Sequence, residues 1–256
     1  MIPLRDQEYI RDRFARELDG RVKLDYFTQR ASALYVPGRE ECATCEDTRK
    51  LLEEVASLSD KVMLTVHELA DAPEEAAKLG VDRVPGIVLR GPANRALRFF
   101  GAPGGNEFPN FIEAMIEASK QQVALAPEIA KQLKRLKDNV SVTVYVTPTC
   151  PYCPAVVRAA YRLALASAHV RASAVEINEF PRLGQQLGIR AVPFTVIGEK
   201  AAVAGALDEA ALAEQVLQAA SGDTLTTAQG GATSSADAPT GEPASGPAPS
   251  GLILPR

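Results

Sequence analysis

The chain has 256 residues, 46% of them hydrophobic, with a formal net charge of -4 and a pI near 5.4. That is enough to bury a core in one large domain or two ordinary ones, and the mild acidity argues against nucleic acid as a main partner. Aromatics make up 5% and Trp is absent, so the expected core is Val, Leu, Ile and Ala.

The first 18 residues are charged throughout and lack the apolar stretch of a signal peptide. No run of about 18 apolar residues indicates a membrane span, so no membrane partner is expected. The expected location is the cytoplasm. The first predicted helix runs over 6–18, where Ile10, Phe14 and Leu18 recur every four residues. A strand follows at 22–27, then a long loop with the turn signal Pro37-Gly38. Leu51, Leu52, Val55 and Leu58 give helical spacing over 43–58. A strand at 62–69, a short helix at 73–80 stopped by Gly80, paired strands at 86–90 and 96–100 and a helix at 107–120 complete this half. The order then begins again. Helix 127–137, strand 141–146, helix 151–168, strand 170–177 and short helix 181–188 precede two strands, at 194–198 and 200–205, and a helix at 208–220.

Both halves read α-β-α-β-α-β-β-α. They also align at a fixed offset of 108 residues: Cys42 with Cys150, Cys45 with Cys153, Glu68 with Glu176, Leu79 with Leu187, Gly80 with Gly188, Val84 with Val192 and Pro85 with Pro193. An ungapped register over that span marks a duplicated unit. The halves differ in about ten extra residues before Cys42 and in a longer first hairpin. The expected division is an N-terminal unit 1–122, a C-terminal unit 123–221, and a tail 222–256. The tail is so rich in Ala, Gly, Pro, Ser and Thr that it cannot offset its ordering entropy.

The four cysteines, Cys42, Cys45, Cys150 and Cys153, fall into two Cys-x-x-Cys pairs. In a cytosolic protein such pairs point to redox chemistry or metal binding. The attacking species in disulfide exchange is the thiolate, and a free Cys titrates near about 8.5. A cysteine between a strand and a helix start meets unpaired N–H groups and the positive helix end, which favour its charged form. The two-residue spacing brings the second cysteine within reach to release a mixed disulfide. A Val-Pro pair stands 40 residues after each second cysteine. Each Pro opens a strand, where its missing N–H is tolerated.

From residue 5 to about 220 the chain resembles the protein disulfide oxidoreductases, glutaredoxin-like proteins with two tandem thioredoxin folds. VTPTCPYCP (146–154), VEINEFP (175–181) and AVP (191–193) are similar to that family's C-terminal unit. CATCED with DRVP is similar to its N-terminal unit. The resemblance implies an α/β fold of two thioredoxin-like units with mixed sheets flanked by helices. It implies cis peptides before Pro85 and Pro193, with Val84 and Val192 pairing with an extended substrate backbone. It implies disulfide-containing protein substrates and a thioredoxin-reductase-like electron donor. No cofactor beyond the redox-active disulfides is expected, and no metal. A homodimer is compatible with this reading.

The two sites are not expected to be equal. Glu40, Glu41, Glu46 and Asp47 flank Cys42, and carboxylates disfavour a thiolate. Cys150 has no charged neighbour until Arg158. Cys150 is therefore expected to be the nucleophile with Cys153 resolving, and Cys42 and Cys45 a second pair. Glu68 and Glu176 are candidate proton acceptors, set against a solvated strand-end role. Tyr152 is a candidate substrate contact. His67 and His169 do not match across the repeat and are read as ordinary residues.

Four other readings stand beside this one. Paired Cys-x-x-Cys motifs can make a zinc site, but usually about 15–20 residues apart, whereas 104 residues separate Cys45 from Cys150. An iron–sulfur cluster shared by two copies is the second metal reading. The chain could instead be a peptide-binding folding helper. It could also be an electron-relay module for a peroxidase system: the N-terminal region of the alkyl hydroperoxide reductase flavoprotein has a similar two-fold plan with one working pair. No GxGxxG fingerprint for a flavin or nicotinamide is present.

Overall fold

A computed structural model describes residues 2–30, 41–198 and 201–221. The loop expected before Cys42 falls mostly on 31–40, and the expected tail on 222–256; both lie outside the described residues. The N-terminal half runs α1 (Leu4–Glu17), β1 (Val22–Thr28), α2 (Cys45–Ser57), β2 (Val62–Glu68), α3 (Pro73–Leu79), β3 (Gly86–Arg90), β4 (Ala96–Phe100) and α4 (Glu107–Ala118). The C-terminal half repeats the order as α5 (Pro127–Leu133), β5 (Val140–Val146), α6 (Cys153–Ala166), β6 (Val170–Glu176), a 3-10 turn (Ile177–Glu179), α7 (Pro181–Gln186), β7 (Phe194–Ile197), β8 (Ala201–Ala204) and α8 (Glu209–Ala220). The order matches the sequence expectation, and the bounds differ by a few residues, as helix ends do. The largest difference is at α5, which ends at Leu133, and α2 and α6 each begin two residues later than expected.

The two halves do not form separate sheets. All eight strands lie in one sheet of order β2-β1-β3-β4-β6-β5-β7-β8. The join is a parallel ladder between β4 and β6, pairing Leu97 with Ala172, Arg98 with Ser173, Phe99 with Ala174 and Phe100 with Val175. The strand directions then follow. β1 is parallel to β2 and antiparallel to β3, and β3 is antiparallel to β4, so β4 runs with β1. β6 runs with β4 and with β5. The C-terminal ends of β1, β4, β6 and β5 therefore share one edge of the sheet. Both Cys-x-x-Cys loops leave from that edge, four strand spacings apart, or about 19 Å at about 4.8 Å per spacing.

Side chains alternate across this sheet, and the two faces bury different cores. On one face Phe14, Leu24, Tyr26, Leu52, Phe99 and Met115 are continuous with Val144, Val156 and Leu163 of the second half. On the other face Phe27, Leu79, Val88, Phe100, Tyr145 and Val175 form a smaller core under α3 and α7. Aromatics carry more of the core than the composition suggested. Tyr26, Phe14, Phe27 and Phe108 are among the largest fully buried side chains, because the few aromatics present are concentrated in the first half.

After β4 the chain crosses toward the second half. The Asn106 N–H donates to the Pro148 carbonyl at 2.9 Å, two residues before Cys150. Gly105 has φ +55°, and a Cβ there would stand 2.3 Å from the same carbonyl oxygen. A side chain is excluded by both conformation and space. Replacing Gly105 with Ala should cost about 1–3 kcal/mol of stability, read as a lower urea midpoint at unchanged slope. A variant as stable as the parent would show that this crossing does not hold the halves together.

Candidate active sites

Each Cys-x-x-Cys pair is closed as a disulfide. Cys42–Cys45 has its Cα atoms 5.5 Å apart and Cys150–Cys153 has them 5.6 Å apart. In both, the second cysteine opens the helix, α2 or α6, and the first lies in the turn before it. That is why the helices begin later than expected. The first four N–H groups of a helix lack internal partners, and the Cys153 N–H meets the Cys150 sulfur at 3.1 Å. Pro154 takes the next position, where no N–H is needed.

The two sites are unequal in three ways. Cys150 is 6% exposed, while Cys42 is only half-buried. The Cys42 backbone N–H donates to Gln29 Oε1 at 3.0 Å, and Gln29 lines a cleft of about 480 Å³ with Thr28, Glu68, Leu69 and Val84. The flanking charges Glu46 and Asp47 are exposed, and Glu46 faces Lys50 at 3.5 Å. Cys42 is thus the more accessible sulfur, and Cys150 the one that faces a helix-start N–H. Behind Cys45 the Tyr26 hydroxyl donates to the Cys45 carbonyl at 2.6 Å. Burial pushes that phenol up to about 12, so it remains a donor.

The peptides before Pro85 and Pro193 are cis. Both prolines are buried, and Val84 and Val192 are half-buried. Matching bonds hold the two loops: Gly101 N–H to the Pro85 carbonyl at 2.8 Å and Gly205 N–H to the Pro193 carbonyl at 2.9 Å. Val192 packs against the core that includes Cys150 and Cys153. Tyr152, between the second pair, is 66% exposed.

The two matched glutamates are in different surroundings. Glu68 accepts the Arg30 backbone N–H at 2.9 Å and lines the cleft by Cys42. Glu176 is 3% exposed and accepts the N–H groups of Asn178 and Glu179, each at 3.1 Å. It is a buried cap on the 3-10 turn rather than a solvated strand end, and burial pushes its carboxyl up. His67 Nε2 lies 3.2 Å from Asp25 Oδ1 and its ring stacks on Phe27. The His169 N–H is bound by Ser167 Oγ. Among the described residues no group of three or more His, Cys, Asp or Glu is gathered as for a metal, and no helix is long and apolar enough to cross a membrane.

Sequence reasoning passed over Glu107. It opens α4 directly after Asn106, whose N–H holds the loop leading to Cys150. It is 1% exposed. One oxygen accepts from Asn110 Nδ2 at 3.0 Å, and Oε1 has no protein partner among the described residues. Burial raises its carboxyl to about 7. The available signal was an acid at the head of an otherwise apolar helix after Gly104-Gly105, which reads equally well as an ordinary first-turn acid. A carboxyl raised on folding stabilises the fold fully below its unfolded value and loses that contribution as pH rises through the folded value. Parent stability should therefore fall between about pH 4.5 and pH 7 by about 3 kcal/mol from this group. Glu107→Gln should flatten that slope in urea titrations run across the range. An unchanged slope would place the carboxyl in water.

Residues 140–218 match the thioredoxin domain family. In sequence, the chain is 27% identical over 155 residues to an alkyl hydroperoxide reductase subunit of Xanthomonas campestris pv. phaseoli, covering 60% of this chain and 27% of that protein. It is 24% identical over 150 residues to an NADH dehydrogenase of Bacillus subtilis (strain 168), covering 59% and 27%. The chain thus spans about a quarter of the length of these curated relatives. In structure, an alkylhydroperoxide reductase subunit of Enterococcus faecalis (V583) superposes with a TM-score of 0.74 at 26% identity, covering 84% of this chain and 99% of the other. A protein disulfide oxidoreductase from Aeropyrum pernix K1 superposes with a TM-score of 0.77 at 24% identity, covering 88% and 96%.

Proposed function

We propose that this chain, a thioredoxin-like disulfide oxidoreductase of two tandem units, works on protein disulfides mainly through Cys150, with Cys153 as the resolving thiol. The observation that carries this is the Cys153 N–H on the Cys150 sulfur at a helix start with no acidic residue in its first turn. A thiolate at Cys150 keeps that hydrogen bond and the positive helix end.

In the reducing direction the Cys150 thiolate attacks a sulfur of the substrate disulfide. The substrate S–S bond breaks, a mixed disulfide forms, and the first substrate thiolate leaves and takes a proton. Cys153 then loses its proton and attacks the Cys150 sulfur. The mixed disulfide breaks and the second substrate thiolate leaves. The protein dithiol has become a disulfide and the substrate disulfide a dithiol, a balanced transfer of two electrons. Glu107 is the proton acceptor we assign to Cys153, since α4 packs on α6 and its carboxyl is poised near neutrality. Glu68 and Glu176 remain the matched carboxyls of the two sheet ends. We assign Glu68 to the substrate cleft of the N-terminal site and Glu176 to holding the 3-10 turn. Val84 and Val192, before Pro85 and Pro193, offer backbone to an extended substrate, with Tyr152 as an exposed contact.

The pairs stand too far apart for direct exchange, so we assign Cys42 and Cys45 to a second partner. Units 1–122 and 123–221 each carry one site. The partners are disulfide-containing proteins and a thioredoxin-reductase-like donor in the cytoplasm, where the chain would serve redox homeostasis. One observation favours the relay reading as a second possibility: the matched region is part of a longer chain in the relatives named as a hydroperoxide reductase component. Under it, the same exchange passes electrons on to a peroxidase.

Cys150→Ser should lower dithiothreitol- or reductase-coupled reduction of a protein disulfide at least tenfold, while Cys42→Ser keeps most of it. The reverse pattern would move the nucleophile to Cys42. Mass-detected thiol counts across a glutathione series should show two reversible two-electron steps. Four unreactive thiols with a bound metal mass would replace the redox reading by a metal site.

A further inference from the structure

The strands β4 and β6 end side by side, so the segments that follow them meet between the two sites. Glu179, the last residue of the 3-10 turn after β6, is where they join. Its Oε1 accepts the Ala102 backbone N–H at 2.6 Å, and its Oε2 accepts the hydroxyl of Thr44. Thr44 stands between Cys42 and Cys45. A carboxylate of the C-terminal half is thus bonded inside the Cys-x-x-Cys loop of the N-terminal half. The glutamate is held from behind as well, since its own N–H donates to buried Glu176 at 3.1 Å. Gly101, with φ +99°, leaves it room: a Cβ there would lie 2.8 Å from the Glu176 Cβ and 3.0 Å from Glu179 Oε1.

A hydroxyl has one proton to donate. While Thr44 gives it to Glu179, that proton is not offered to a sulfur in the same turn. The carboxylate also adds negative charge beside the pair. The other charged and titratable groups facing this place are Glu46 and Arg49 of α2, Glu176 of β6 and the Tyr26 phenol, whose ionisation Glu179 and Glu46 oppose. Negative charge and a missing donor both disfavour a thiolate, and a dithiol with a poor thiolate forms the less oxidising disulfide.

We propose that Glu179 is a positioning residue of the N-terminal redox site, supplied across the repeat by the C-terminal unit, and that by holding Thr44 it keeps Cys42 a poor thiolate and the Cys42–Cys45 pair a reducing one. This rests on the redox reading above. It also accounts for an N-terminal pair that is more accessible than Cys150 yet suited to a different partner.

The test uses the full chain with Cys150→Ser and Cys153→Ser, so that only the N-terminal pair reports. Adding Glu179→Gln should move the pH–rate profile of Cys42 alkylation to lower pH, with the rate at pH 6 up about threefold as the thiolate fraction rises and its intrinsic nucleophilicity falls. The equilibrium with glutathione should shift toward the reduced dithiol by up to about tenfold, about 30 mV for two electrons. Thr44→Val leaves the carboxylate without its donor and should move the profile the opposite way, which decides the matter if Glu179→Gln fails to fold. In the complementary background that keeps only Cys150 and Cys153, Glu179→Gln should leave the profile where it was. A folded Glu179→Gln variant with the parent's profile, or both substitutions moving it the same way, overturns the role of Glu179 alone. A parent pair that no dithiol reduces overturns the redox reading of this site and the proposal with it.

Discussion

The parallel ladder between β4 and β6 is the constraint on which the rest depends. Each thioredoxin-like unit alone would end in an open strand edge, with unpaired N–H and C=O groups. Here the hairpin edge of the first unit closes on the helix-crossover edge of the second. Ala172 and Ala174 stand opposite Leu97 and Phe99 in this ladder, so small residues on one strand face large ones on the other. Because the pairing is parallel, the C-terminal ends of β1, β5 and the two joining strands share one edge. The two redox loops and the two connecting segments are thereby placed in a row.

That row explains why each site borrows from the other unit. The segment after β4 delivers Asn106 to the approach to Cys150. The turn after β6 delivers Glu179 to Thr44. An isolated unit would lack these groups. The buried carboxyl of Glu107, at the head of α4, and the hydrogen-bonded carboxylate at the Cys42 side are of the same residue type. One is dry and raised toward neutrality, and the other is held by a hydroxyl and a backbone amide. Duplication produced two like pairs, and the asymmetric join gives them different surroundings.

Much of this was legible in residue order. The 108-residue register required a duplicated unit, and the offset of cysteines and prolines located both pairs to the residue. Strand limits at 86–90 and 96–100 followed from two apolar runs paired about the turn 91–94, and the structure keeps them. Gly80, read as a helix stop, sits in the left-handed conformation that glycine favours. The helices α2 and α6 begin two residues later than the pattern implies, because the two residues between the cysteines form a turn that adjoins the helical spacing without belonging to it. Glu176 looked like a surface strand end because nothing local shows that the turn after it folds back over its carboxyl.

Residue order alone sufficed for the repeat, the succession of elements, the spacing within each Cys-x-x-Cys pair and the proline that follows each pair at a fixed distance. These depend on periodicity and near neighbours, which a single chain displays directly. Only folding reveals that the two sheets are one, that both pairs face the same edge, that Asn106 holds the loop before Cys150, and that Glu179 reaches Thr44 in the other half. Each of those facts is a contact between residues far apart along the chain. Glu179 and Thr44 are 135 positions apart, and no pattern in a single chain records which strand edges will pair.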